Sequence, residues 1–167
     1  LYSTIDLTQD GGNNDAILDQ AGSTLYMTVA QTGSGNTADV TQGGNSNLVE
    51  LLQNGGVLNP GSGSLNDATL LQSGNLNELF VSQSGSDNGV YANQSGNSNT
   101  TDIDQFGGEL DAWVLQDGNS GLITIAQNGS GGSATVYQGG GSDTEVNILH
   151  DAPDAVAWAP PPVSPTL

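Results

Sequence analysis

Gln recurs every eleven residues, at Gln9, Gln20, Gln31, Gln42 and Gln53, then at Gln72, Gln83, Gln94, Gln105, Gln116, Gln127 and Gln138. Two residues after each stands a glycine: Gly11, Gly22, Gly33, Gly44, Gly55, Gly74, Gly85, Gly96, Gly107, Gly118, Gly129 and Gly140. A fixed short period means that one small structural unit is stacked many times. With Gln counted as position 6, position 4 is apolar in every unit: Leu7, Leu18, Val29, Val40, Leu51, Leu70, Val81, Ala92, Ile103, Val114, Ile125 and Val136. Position 2 is apolar in all units but one, Thr101. Position 0 is Asn at Asn14, Asn36, Asn47, Asn66, Asn77, Asn88 and Asn99.

Positions 0, 2, 4 and 6 lie on one face of a strand, because strand side chains alternate with period two. An eleven-residue period also suits a right-handed helical coiled coil. A Gly in every period would cost each helix about 1 kcal/mol, and the apolar residues sit two apart rather than three and four. Strand is therefore the better account. Each unit is expected to be a strand of about seven residues and a turn of about four, rich in residues that tolerate left-handed backbone. The expected fold is all-β: a β-solenoid of two stacked parallel sheets, about 22 residues per coil, with coils about 4.8 Å apart. Inside such a stack, an amide above another amide can donate to one neighbour and accept from the other. The Asn and Gln columns are thus expected to form ladders along both edges of a thin apolar core.

Composition narrows the functions. The chain has no Lys, no Arg, no Cys and 18 acidic residues. A polyanion with no basic residue cannot clamp phosphates, so nucleic acid is excluded as a partner, and an anionic membrane surface would repel it. Without Cys there is no disulfide framework and no usual zinc or redox motif. No stretch has the apolar length needed to span a bilayer. The N-terminus lacks a basic start followed by an apolar run, so a secretion signal is expected to have been removed already. The single His150 leaves no repeated or buried Ser-His-Asp set, and the chain is expected not to be an enzyme. No cofactor is expected either. Outward carboxylates such as Asp15, Asp39, Glu50, Asp102 and Asp104 could hold divalent cations non-specifically, while their simplest role is to keep the surface soluble.

Two places depart from the repeat. The interval from Gln53 to Gln72 is nineteen residues, which implies an enlarged loop at about 54–65. The unit from Asp143 to Leu149 loses its Gln and Gly, and Val146 and Ile148 fall in the opposite phase to the earlier core positions. It reads as a terminal strand that caps the stack or pairs with a neighbouring molecule. The expected division is a solenoid over 1–149 and a Pro-rich tail over 150–167, extended and either loose or draped over a surface. Some outward positions are apolar, among them Leu52, Phe80, Tyr91, Trp113 and Tyr137, and stacking would align several into stripes.

The phrase Asn-x5-Gln-x-Gly-x2-Asn, seen from Asn36 to Asn47 and from Asn66 to Asn99 over three consecutive units, resembles the curlin repeat of bacterial curli. The resemblance covers about residues 3–142. It implies a subunit exported unfolded that polymerises head to tail outside the cell into functional amyloid fibres of the biofilm matrix. It also implies secretion and nucleation partners, and leaves open whether the chain is a major subunit or a nucleator. A monomeric solenoid that binds ice, a polysaccharide or a cell surface is the alternative. The outward positions carry no regular Thr ladder of the kind that alternative would favour.

Overall fold

The computed structural model describes residues 2–55, 65–151 and 156–159. The described residues form fourteen strands. Those of the first sheet are β1 (Thr4–Gly12), β3 (Tyr26–Ser34), β5 (Leu48–Gly55), β7 (Glu78–Ser86), β9 (Thr100–Gly108), β11 (Leu122–Ser130) and β13 (Glu145–His150). Those of the second are β2 (Asp15–Ser23), β4 (Thr37–Asn45), β6 (Asp67–Gln72), β8 (Gly89–Asn97), β10 (Asp111–Asn119), β12 (Ser133–Ser142) and β14 (Val156–Ala159). Each sheet has seven strands, in the orders β1-β3-β5-β7-β9-β11-β13 and β2-β4-β6-β8-β10-β12-β14. Every neighbouring pair is parallel, and equivalent positions lie on one another, as in Val29↔Leu51 and Gln31↔Gln53. The chain is thus a β-solenoid in which two successive strands make one coil.

The period-two pattern explains the burial. Met27, Val29, Val49, Leu51, Leu79, Val81, Ile103, Ile123 and Ile125 point inward from the first sheet, and Ala38, Val40, Ala68, Leu70, Ala92, Val114 and Val136 from the second. Position 2 is mostly large in the first sheet and mostly Ala in the second, so the two faces interdigitate across a narrow interior. Thr101, the polar exception, donates its hydroxyl to Gln116 Oε1 at 2.8 Å and so satisfies itself within the core. At the first coil only one side is covered: Ile5 and Leu7 remain 45% and 43% exposed.

The strands are longer than expected. Most have nine residues rather than about seven, and pairing continues through the Gly to the residue after it, as in Gly85↔Gly107 and Ser86↔Gly108. Stacked turns explain this, because each corner meets an identical corner 22 residues on and hydrogen bonding need not stop there. The left-handed corner residue lies just before position 0, for example Ser46, Asp87 and Ser98, each with φ near +57°. Its N–H donates to the preceding layer, Ser98 N to Asn75 O at 2.9 Å and Ser120 N to Asn97 O at 2.9 Å.

The terminal unit corrects a second expectation. Val146 and Ile148 are in phase with the core: Ile123 pairs with Val146 and Ile125 with Ile148. β12 has ten residues, and its pairing with β10 slips by one residue between Asp117 and Asn119. One extra residue in the Gly139–Ser142 corner therefore restores the inward phase that a strict count of eleven would lose. β13 ends at His150, and β14 adds to the edge of β12 with Ala134↔Ala157 and Val136↔Ala159. The expected loop at about 54–65 falls mostly on 56–64, outside the described residues; β5 itself runs through Gly55.

Candidate functional site: the amide ladders and the two ends of the stack

Gln at position 6 ends the inward-facing set of each strand, where the chain turns toward the opposite sheet. Its amide therefore meets both its own copy one coil away and a carbonyl at the start of the facing strand. In the first sheet the Nε2 groups of Gln9, Gln31, Gln53, Gln83 and Gln105 donate to the Oε1 of the next Gln at 2.6, 2.9, 3.0, 3.1 and 2.9 Å. In the second sheet Gln20, Gln42, Gln72, Gln94 and Gln116 do the same at 2.8, 2.9, 2.8, 2.8 and 2.6 Å. The second Nε2 hydrogen serves the backbone sixteen residues back, as in Gln31 to Asp15 O at 2.9 Å and Gln127 to Asp111 O at 3.0 Å. The Gln-to-Gln donors all point toward the C-terminal end of the stack, so the ladders have polarity.

Asn at position 0 works differently from the expected amide-on-amide ladder. Side-chain amides bond each other at Asn14–Asn36 and Asn66–Asn88, both at 3.1 Å. Elsewhere Nδ2 holds two carbonyls of the turns, as Asn99 does with Ser95 O at 2.8 Å and Gly118 O at 2.9 Å. Meanwhile Oδ1 accepts the N–H of the residue one coil on, Asn77 Oδ1 from Asn99 N at 3.0 Å. These Asn are brackets that tie each corner to the next. A true Asn ladder lies outside, where Asn45, Asn75, Asn97 and Asn119 follow one another at 2.9, 2.8 and 2.9 Å. Sequence reasoning missed it because it occurs in every second unit; a search at period 22 would have found it.

The ladders end unlike one another. At the first coil Gln9 and Gln20 donate inward, and among the described residues no group donates to their Oε1 atoms. At the last coil, Gln138 occupies the final Gln rung of the second sheet, and its buried Nε2 has no partner among the described residues. His150 lies in register on Gln127 and takes the place of the missing Gln. It is 6% exposed, and neither ring nitrogen has a partner among the described residues. Its ring fits because position 0 is there Gly132, where a Cβ would stand 2.5 Å from His150 Cε1. Sequence reasoning placed His150 at the head of the tail; the extra residue in the preceding corner hid its place in the ladder.

On the outer face of the first sheet, Asp102 is held above the ordinary carboxylate range, first by partial burial and then by the charge of Asp104. With the folded-state pKa raised, the ionised form weakens the fold at neutral pH. That cost is relieved as pH falls through the raised value toward the ordinary one. Asp102→Asn is expected to raise the melting temperature at pH 7 by about 1–2 °C, a small effect because water screens the site. An unchanged or lower melting temperature would contradict this. Among the described residues, no group of three or more His, Cys, Asp or Glu is placed to hold a metal ion.

A parallel solenoid braced by amide ladders of a single polarity defines a repeat protein whose coils lie on one another in register. The curlin associated repeat matches residues 3–44, 63–96 and 96–129, more than half of the chain, and the chain belongs to that family. No curated protein and no solved structure matches it.

Proposed function

We propose that the chain is the structural subunit of an extracellular, curli-like amyloid fibre and that its function is the polymer, with no catalytic role. The observation that carries this reading is the polarity of the ladder ends. Among the described residues, Gln9 and Gln20 have no donor to their Oε1 atoms at one end, and Gln138 at the other holds a buried donor without an acceptor. A buried amide left unpaired costs on the order of 1–3 kcal/mol, and a second copy added head to tail would satisfy it once β14 leaves the edge of β12. The edges of β1 and β13 also carry open backbone groups, which template further strands. Complementary ends that do not close a ring generate an open filament.

Carboxylates crowded along the stack repel one another, so salt or mild acid should speed assembly. Filament imaging, fibre diffraction and seeding test this reading. We expect unbranched filaments, a reflection at about 4.7–4.8 Å along the axis, and removal of the lag phase by preformed fragments. A chain that stays monomeric under all salt and pH conditions would overturn it.

A further inference from the structure

The outer face of the second sheet carries two columns of side chains that the fibre reading leaves unused. Thr69, Tyr91, Trp113 and Thr135 stack in register on β6, β8, β10 and β12. The Tyr91 and Trp113 rings lie 4.3 Å apart, inclined by 23°. Since both flanking residues are Thr, the two rings rise as a ridge with a step down on each side, and Trp113 is 49% exposed. Beside the ridge runs the column Asp67, Gly89, Asp111 and Ser133. The two columns line an open groove of about 600 Å³.

Gly89 shapes this groove. A Cβ there would stand 2.8 Å from Asp111 Oδ1, so the missing side chain lets the Asp111 carboxylate lean over β8 next to Tyr91. Neither Asp67 nor Asp111 has a basic neighbour, because the chain has no Lys or Arg. The groove therefore offers an aromatic surface, two unpaired carboxylates and a fringe of hydroxyls.

We propose that this groove binds a polymer of amino sugars carrying free amines. The pyranose ring has an apolar C–H face that packs on an aromatic ring. Its hydroxyls donate to carboxylates, and an ammonium gains both from Asp and from the π faces. A polyuronate or sulfated glycan is repelled by a chain of net charge −18. The four strands span about 14 Å at a spacing of about 4.8 Å, longer than one sugar ring, which favours a polymer over a monosaccharide. The site is complete within one subunit and so does not depend on polymerisation.

The test is retention of the full-length, freshly desalted chain on beads of deacetylated polyglucosamine, with alginate beads for comparison. Binding to polyglucosamine and not to alginate is expected. Trp113→Ala should lower affinity by about tenfold, a loss of about 1.4 kcal/mol. Asp111→Asn and Gly89→Ala, which neutralise or displace the same carboxylate, should each lower it several-fold. The Trp113 and Asp111 changes are on the surface, and circular dichroism checks that each variant keeps its strands. Glucosamine oligomers should displace the chain better than oligolysine of equal charge. Absence of retention, retention indifferent to Trp113→Ala, or equal displacement by oligolysine would each overturn the proposal; the last would mean that a cationic peptide is the better occupant.

Discussion

Gly96→Ala will destabilise the solenoid by at least about 3 kcal/mol and will cost most of its cooperative unfolding transition. Gly96 has φ +103°, and a Cβ there would stand 1.7 Å from Gly118 O and 2.8 Å from Gly118 C. The obstacle is the backbone of the next coil, which β10 holds at strand spacing by pairing with β8 through Gly118 and Asn119 and with β12 up to Asp117. A flexible side chain could move aside; a stacked carbonyl cannot. Gly140→Ala provides the control, because that residue has φ +66° with nothing within 4 Å of a Cβ. It should cost only the left-handed backbone penalty of about 1–2 kcal/mol. Guanidinium unfolding followed by circular dichroism compares the two. Equal losses would mean that contact between stacked corners is not what requires glycine.

The contrast between these glycines shows what was readable in the chain beforehand. The period, the strand assignment and the inward face follow from spacing alone, because twelve Gln in phase leave no freedom in register. The reason for Gly did not follow. Composition suggests only permissive backbone at a turn, whereas at Gly96 the stacked neighbour excludes a side chain. Strand length was underestimated for the same reason: a lone turn ends pairing, but a turn stacked on its copy continues it.

Other features were hidden by counting in units of eleven when the coil is twice that. Asn45, Asn75, Asn97 and Asn119 look like unremarkable turn residues in single units, yet they fall in one column once alternate units are superposed. Tyr91 and Trp113 are separated by one coil as well, and their contact is invisible in the half-coil frame. His150 was displaced from its rung by the single extra residue in the Gly139–Ser142 corner. A count of eleven turns Val146 and Ile148 outward, while the protein absorbs the insertion at the corner and keeps the core continuous. Partial burial of two apolar side chains decides that outcome, at less than the roughly 1.5–3 kcal/mol each that full burial would contribute.

The interior rung at Gln83 allows the sharpest test of the ladders. Gln83 Nε2 donates to Gln105 Oε1 at 3.1 Å, to Asp67 O at 3.1 Å and to Asn88 O at 3.0 Å, while Gln83 Oε1 accepts from Gln53 Nε2 at 3.0 Å. Gln83→Leu removes all four contacts and strands several buried groups, for a loss of roughly 3–5 kcal/mol at about 1–3 kcal/mol each. Gln83→Glu keeps the shape and should be worse at neutral pH. Its carboxylate would still accept from Gln53, but its other oxygen would face three oxygens, with no Lys or Arg in the chain to pair with it. Burial and those oxygens would raise the carboxyl's folded-state pKa above its unfolded value of about 4.3. The penalty is then complete above the folded pKa and shrinks as pH falls toward 4.3. Once protonated, the acid can donate to one of the three oxygens and restore part of the rung. Stability measured against Gln83→Leu at each pH cancels the titration of the surface carboxylates. Gln83→Glu should be the weaker variant at pH 7.5 and should gain on Gln83→Leu steadily in acid. If the two variants stay parallel across that range, the Gln column is only a row of space-filling amides and its directed hydrogen bonds do not hold the coils together.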